Sequence, residues 1–424
     1  MVQSGLAVTT NPKENLVKSV EFSQTVCKGY LRIVDTDASV DLSVKAGIAL
    51  DETGSLRSRD LAPNSAIVQA LWERNIFSCS SDIERMGMEL LALGKRVRNR
   101  NLALTSFIMQ QSEYVRITTA ERQVDDTRIW SMGRSVLTSP NGQTFYRDVW
   151  IDSSEDVLAE FASNTDAMLA ELGDVNITTS PSLTIPGTVI FPPGTGGYFI
   201  HEVFGHMLEG DLVSQGVSVF GKHIHLGDRI GPDFLNVADD PAGFSEHIGL
   251  AAVDDEGEPL NRIPLVSAGT LSGYICDRET AALLGDGVGA GCARRQSYKH
   301  KAVPRMRSTF VSPTGTGNDL NQIIADTESG FLVSQLIAGN VNPMTGDFML
   351  ICGNGYVIVD GQITTPVRGV TLYGNALTAM RTIDTIGSDF KMIPLQCAKA
   401  GQILPVCAGS PTIRVHDLIA TRNI

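Results

Sequence analysis

Two histidines and a glutamate fall within six residues in His201-Glu202-Val203-Phe204-Gly205-His206, directly after a strand-like, glycine-rich run. Neutral imidazoles are good ligands for a borderline-soft divalent metal, and a carboxylate beside the first can take a proton from a water that the metal polarises. The familiar version of this device spaces its histidines i, i+4, about 40° apart on a helix that turns roughly 100° per residue. Here the spacing is i, i+5, which in an undistorted helix swings His206 about 140° away from His201. Both can grip one ion only where the backbone is underwound or interrupted. Gly205 stands at that place, and glycine relaxes most easily into a single-turn π-bulge or a helix end. The run predicts a helix over Tyr198 to Leu208, distorted at Gly205, following a turn at Pro192 to Gly197.

The 424 residues give room for two or three domains of roughly 100 to 200 residues each. Hydrophobic residues make up 42% and charged ones 19%, and the 41 glycines imply many turns and close backbone approaches rather than long helices. A net charge of −13 argues against nucleic acid or an anionic membrane as a partner. No stretch approaches the roughly 20 apolar residues that span a bilayer. Met1 to Glu14 lacks the basic-then-apolar pattern of a secretory signal, so a cytoplasmic location is expected. The seven cysteines (27, 79, 276, 292, 352, 397 and 407) are odd in number, scattered and without a CxxC pair, which fits reduced thiols.

Along the chain, Gly29 to Val34 and Ala38 to Val44 read as strands, Asn64 to Arg74 as a helix, and Asp82 to Val97 as a helix with an apolar stripe at Ile83, Met86, Leu90, Leu91 and Leu93. Leu102 to Ile108 and Tyr114 to Thr119 read as two strands, and a helix capped by Ser153 or Ser154 runs to Leu172. Residues 1–175 are thus a mixed α/β domain, and the uncharged, Ser/Thr/Pro-rich stretch around 176–186 is the linker. Residues 187–424 alternate short β-like runs with glycine turns, from Ile248 to Val253 through Val367 to Leu372, with helices at Arg278 to Leu284, Leu320 to Asp326 and Asn375 to Ile386. The whole is α+β, its second domain a large, curved, mostly antiparallel sheet or partial barrel that carries the metal helix.

A catalytic zinc takes three protein ligands and keeps a position for water, so a third donor must come from elsewhere. His223, His225, His247, His300 and His416 are candidates. So is Cys397, at the head of the polar turn Cys397-Ala398-Lys399-Ala400-Gly401-Gln402, where a nearby lysine favours the thiolate.

HEVFGHMLEGD, GCARRQSYKH, VPRM, and CAKAGQ followed by LPV and GSPT together resemble the TldD/PmbA family of zinc metallopeptidases, in its metal-bearing TldD-like branch. The likeness covers residues 186–424 and, less clearly, the shorter N-terminal domain. It implies that His201, His206 and Cys397 bind one zinc per chain and that Glu202 is the catalytic base. It also implies a substrate among short or unfolded peptides, including ribosomally made peptides to be matured, and a dimer, either of two such chains or with a TldE/PmbA-like subunit that lacks the metal motif. Ala398 stands where the family usually has glycine, and the N-terminal domain looks abbreviated.

Glu209 and Asp211 are placed to accept the free N–H of a ligating histidine, or simply to solvate a helix end. Arg294, Arg295, Ser297 and Tyr298 form a donor set for a peptide carboxylate or an oxyanion, or else a structural ion-pair cluster, and Pro304-Arg305-Met306 reads the same way. The expected activity is zinc-dependent peptide hydrolysis. Its rival is a non-catalytic peptide-binding or scaffold subunit with a structural zinc, which would need a fourth protein ligand and no base.

Overall fold

The computed structural model describes residues 19–34, 37–52, 55–74, 77, 80–120, 122–140, 144–150, 154–173, 186–241, 252–314 and 318–422. The linker expected at 176–186 lies almost wholly outside the described residues, as do Cys79, Ser153 and His247.

The N-terminal part is one antiparallel sheet of β1 (Ser19–Val34), β2 (Asp37–Glu52), β3 (Ser55–Asp60), β4 (Ala103–Thr118), β5 (Gln123–Thr138) and β6 (Thr144–Trp150), in the order β3-β2-β1-β4-β5-β6. Helices α1 (Ser65–Trp72), α2 (Ser80–Arg98) and α3 (Ser154–Gly173) complete it. Asn64 caps α1 by accepting from the backbone N–H groups of Ala66 and Ile67. The expected stripe of α2 is present, with Met86 and Leu90 fully covered and Lys95, Arg96 and Arg98 in the last turn. Together with Val157 and Phe161 of α3 these side chains pack on Leu31, Ile33 and Ile108, so one face of the sheet is dry.

The opposite face explains why the two expected strands at 102–108 and 114–119 are one. The polar stretch between them, Gln110 to Glu113, is entirely buried in β4, with Gln110 and Ser112 on the face of Ile108 that the helices cover and Gln111 and Glu113 toward Asp255 and Arg294 of the C-terminal part. Polar residues there satisfy one another, as when Gln110 donates to Ser131 at 2.6 Å and Gln24 to Glu113 at 2.5 Å. Arg128 reaches across to Asp255 at 2.5 Å, and the Tyr298 backbone N–H to Gln24 at 3.2 Å.

The C-terminal part contains β7 (Val189–Phe191), α4 (Thr195–Val203), α5 (Gly210–Ser214), β8 (Val237–Asp239), β9 (Ile263–Ser267), β10 (Thr270–Leu271), β11 (Ala293–Arg294), β12 (Val303–Pro304), β13 (Ser308–Val311), β14 (Ser329–Val341), β15 (Asp347–Val359), β16 (Gln362–Asn375), β17 (Ile383–Ile386), β18 (Lys391–Lys399), β19 (Gln402–Ser410), β20 (Ile413–Val415) and β21 (Ile419–Arg422). One sheet has the order β17-β20-β7-β14-β15-β16-β21 and the other β10-β9-β8-β13-β19-β18, with β11 and β12 as a separate pair. Among the described strands only β7–β14 and β13–β19 pair in parallel. The expected α+β, strand-rich and mostly antiparallel architecture is present, divided among several open sheets, none of them closed among the described residues. The reason is α4, which lies between the two large ones, packed on β7 and β14 on one side and on β13, β18 and β19 on the other. Its Phe199, Ile200 and Val203 are fully buried, and Phe199 stacks on Phe191 with ring centroids 4.6 Å apart.

Asn375 to Ile386 is not one helix but a short helix over Ala376–Arg381 followed by β17. Of the strand expected at 248–253, only Val253 is clear of the undescribed residues or their immediate edge, and it makes an isolated bridge to Pro259. Among the described residues no helix is long and apolar enough to cross a membrane.

Phe161 closes the core beneath α3, its ring lying against Gly133 of β5. Phe161→Ala is expected to lower unfolding free energy by about 3–5 kcal/mol, read as a fall in the denaturant midpoint followed by tryptophan fluorescence.

Candidate metal centre

Helix α4 begins at Thr195, earlier than the expected Tyr198, because Gly194 caps it in a left-handed conformation (φ 81°). It ends at Val203, where Phe204 leaves the helical region (φ −121°, ψ −48°), and a 3₁₀ turn follows over Gly205–Leu208. The expected break is therefore a helix end joined to a tighter turn. This brings the His201 and His206 rings to a centroid separation of 4.9 Å. Gly205 serves a different purpose from the one its flexibility suggests. Its φ is not positive, and a Cβ built there would lie 2.1 Å from the Met306 sulfur, so glycine is needed for close packing.

Cys397 comes from the end of β18, and its Sγ lies 3.4 Å from His206 Nε2. The donor atoms of His201, His206 and Cys397 all lie within 4.8 Å of one another, the one such group of His, Cys, Asp and Glu among the described residues. His206 Nδ1 faces Glu209 Oε2 at 3.1 Å, which fixes a proton on Nδ1 and turns Nε2 toward Cys397. His201 is fully buried, and neither ring nitrogen has a hydrogen-bond partner. An orphaned buried imidazole costs about 1–3 kcal/mol, a penalty that a bound cation removes. One open-faced imidazole, one oriented imidazole and one thiol are a donor set that fits zinc at three positions and leaves a fourth free.

Electrostatics support the same assignment. Burial pushes the Cys397 thiol up, but His201 and His206 outweigh it and bring the group down to about 4. Burial works against the His206 imidazolium, yet Glu209 and Cys397 raise it well above the ordinary value. Glu209 is fully buried; burial raises it, while His206 and Lys399 bring it down to about 2. The other described cysteines at 27, 276, 292, 352 and 407 are all pushed up by burial and stay thiols.

Glu202 is held up by burial, with His201 and His206 opposing, which suits a proton acceptor. Gly339 of β14 makes its seat, since a Cβ there would lie 2.8 Å from both Cβ and Cγ of Glu202. Sequence reasoning missed this glycine, because its partner is 137 positions away, counting 339 − 202.

The remaining expected residues separate. Asp211 binds Lys399 at 2.7 Å rather than a histidine, and Lys399 also meets Glu209 at 3.1 Å and the Pro304 carbonyl at 3.0 Å. Lys399 thus ties the β18–β19 hairpin to the helix end instead of lying over the thiolate, which the imidazoles stabilise. Arg305 donates from Nη2 to the Cys397 carbonyl at 2.5 Å, a second tie that the sequence left vague. Ser297 pairs with His300 at 2.8 Å and the Tyr298 hydroxyl donates to Asp60, whereas Arg294 and Arg295 line a cavity. His223 and His225 are exposed, and His416 bonds Thr188 and Asp384, so none joins the cluster.

A cavity of about 370 Å³ opens at the first turn of α4 and along β18 as far as Leu395, although none of His201, Glu202, His206 and Cys397 lines it. Tyr198 and Thr195 of α4, Ser334 to Leu336 of β14 and Lys391 to Leu395 of β18 form its walls, with Tyr146 to Asp148 of β6 opposite. Tyr198 sits one helical turn before Glu202, and its hydroxyl is raised by burial and by that carboxylate.

Two histidines at a helix end between two open sheets, joined by a distant cysteine, form a candidate metal centre. Residues 185–422 match the family model for the PmbA/TldA metallopeptidase C-terminal domain, and the chain belongs to that family, the TldD/PmbA metallopeptidases. It is 30% identical over 269 residues to the metalloprotease TldD homologue of Buchnera aphidicola, covering 63% of this chain and 54% of that one. It is 32% identical over 230 residues to the zinc metalloprotease TldD homologue of Saccharolobus solfataricus, covering 54% and 50%. The chain spans about half the length of the curated relatives it matches. Its fold is shared with TldE from Thermococcus kodakarensis (TM-score 0.69, 14% identity, 96% of this chain and 100% of that one). The same holds for a putative modulator of DNA gyrase from Thermotoga maritima (TM-score 0.67, 16% identity, 95% and 97%).

Gly205→Ala is expected to lower both thermal stability and zinc retention, with partial recovery when Met306→Ala is added; a single variant that keeps full metal content by atomic absorption would remove the packing argument. In the metal-stripped chain the ultraviolet absorbance of one thiolate is expected to persist from neutral pH down to about 4 and to vanish in Cys397→Ser.

Proposed function

We propose that this chain is a zinc-dependent peptide hydrolase acting on short or unfolded peptides, with one zinc on His201, His206 and Cys397 and Glu202 as general base. The observation that carries the reading is the fully buried His201, with both ring nitrogens unpartnered, facing a thiol of depressed pKa and an oriented second imidazole. Relatives known as metalloproteases, in one case a zinc metalloprotease, support it.

Zinc bound there supplies Lewis-acid polarisation of a peptide carbonyl and lowers the pKa of a water. The chain's own residues do the rest. Glu202 accepts a proton from the attacking water and delivers it to the leaving amine, for which a burial-raised pKa suits it. Glu209 fixes the orientation of His206. Strand β18 is the last in its sheet, so its outward backbone groups are open to an extended peptide lying in the 370 Å³ cavity, save at Pro394, which has no N–H to offer. Such pairing is read through the main chain and accepts varied sequences, including a ribosomally made precursor.

Three donors together with a carboxylate that is not one of them favour catalysis over a closed structural site in a scaffold subunit. The fold shared with TldE supports assembly as a dimer, with a TldE-like subunit or a second copy. A cytoplasmic setting fits the thiol chemistry of the centre.

Glu202→Gln is expected to keep zinc and fold while losing hydrolysis by about 10²- to 10⁴-fold. Cys397→Ala is expected to lose the metal, and chelation followed by zinc should abolish and restore activity in the unaltered chain. Turnover by Glu202→Gln at the unaltered rate would refute the base assignment.

A further inference from the structure

The residues that line the cavity of about 370 Å³ are not those of the metal centre, yet three elements carry both. In β14, Ser334 to Leu336 line the cavity, and Gly339, three residues past Leu336, seats Glu202. In β18, Lys391 to Leu395 line it, and Cys397 follows two residues later. In α4, Thr195 and Tyr198 line it, and His201 and Glu202 stand three and four residues beyond Tyr198. Each wall thus passes from the cavity to the centre within a single turn of helix or a few residues of strand. On the helix, the residue between them is Tyr198.

Side chains three and four apart on a helix are neighbours, so Tyr198 adjoins both the first histidine and the carboxylate. A helical side chain leans toward the N-terminus, which carries Glu202 back over the turn that holds Tyr198. The far wall is already committed. Tyr146 donates to the Leu336 carbonyl at 3.0 Å, Gln335 donates to the Tyr146 carbonyl at 2.8 Å, and Asp148 accepts from Arg134 at 2.5 and 2.8 Å. The Tyr198 hydroxyl, by contrast, has no hydrogen-bond partner among the described residues. A half-buried phenol usually finds one. Burial and the Glu202 carboxylate both oppose its ionisation, so it keeps its proton and remains a donor.

A donor without an acceptor in this position suits one that arrives with the substrate. When water adds to a peptide carbonyl, its oxygen bonds to the carbon, the π pair moves onto the carbonyl oxygen, and Glu202 takes the proton. Negative charge therefore leaves Glu202 and appears on the carbonyl oxygen, and the attraction felt by the phenol moves with it. An interaction that strengthens in this way lowers the barrier rather than only tightening binding.

We propose that Tyr198 is a catalytic donor, its hydroxyl hydrogen-bonding the carbonyl oxygen of the bond to be cut as that oxygen becomes negative. The proposal rests on the peptide-hydrolase reading and adds a residue to its machinery. The phenol gives up no proton; it orients and stabilises.

The test compares the zinc-loaded chain with Tyr198→Phe, which removes one oxygen and keeps the ring. Zinc content and thermal midpoint are expected to be unaltered and KM to stay within about twofold, while kcat falls about 10²-fold, the loss usual for one donor of this kind. A peptide phosphinate, whose tetrahedral oxygens mimic the charged carbonyl oxygen, is expected to lose about tenfold in calorimetric affinity for the variant, as one hydrogen bond to a charged group supplies. The corresponding peptide amide, bound to Glu202→Gln so that it is not cleaved, is expected to bind equally with and without the added Tyr198→Phe. A raised KM at unaltered kcat, no change in either constant, or loss of zinc or fold would overturn the donor role. Should the unaltered chain cleave no peptide, the peptidase reading fails instead, and the phosphinate alone decides Tyr198, equal affinity in the variant overturning it.

Discussion

The site depends on one fully buried carboxylate. Glu209 lies at the end of the 3₁₀ turn, turns the His206 ring so that Nε2 faces Cys397, and receives Lys399 from the opposing hairpin. A buried anion is tolerated only while its cations stay in place, and removing one partner of such a group costs about 3–5 kcal/mol. The contact between the helix end and the β18–β19 hairpin is consequently either complete or badly destabilised, with little between. Arg305, on the Cys397 carbonyl, adds a neutral acceptor to the same junction. Ligand geometry at the centre is set by this polar clasp, since the two elements share no hydrogen-bonded ladder.

Around the clasp the two sheets divide the work. The seven-stranded sheet provides the seat of Glu202 through Gly339, and the six-stranded sheet provides Cys397 together with a free strand edge. Helix α4 is the spacer that keeps them apart, which is why neither sheet closes and why the edge of β18 stays open. The N-terminal sheet then forms the far wall of both cavities, through β6 in one case and β1, β4 and β5 in the other. Its helices cover the face turned away, so the face toward the centre can be polar.

Much of this was legible from residue order, and what was not has physical causes. The closeness of the two histidines despite their spacing and the apolar stripe of α2 depend on neighbours within a few positions, and both are present, although the helix ends at Val203. The cysteine was only one candidate among several until the family resemblance singled it out, because a contact across 191 positions leaves no periodic trace. Long strands were cut short wherever polar residues broke the alternation, as at Gln110 to Glu113, where the helices bury one pair and a part of the chain met later buries Gln111 and Glu113. Ser297 and Tyr298 looked like members of one donor set with Arg294 and Arg295, yet consecutive side chains point apart and found partners as far away as Asp60. Gly205 was singled out for the right place but a different reason, the Met306 sulfur being invisible from its own neighbourhood.

The wide sequence separation of the ligands also sets an order of events during synthesis. A ribosome delivers both imidazoles and the glutamate nearly two hundred residues before the thiol that completes the grip. Until the β18–β19 hairpin has emerged and docked, the growing polypeptide offers an ion at most two of the three proposed donors. On the proposed function, a chain assembled in this sequence would be chemically silent while its own unfolded length is the nearest substrate.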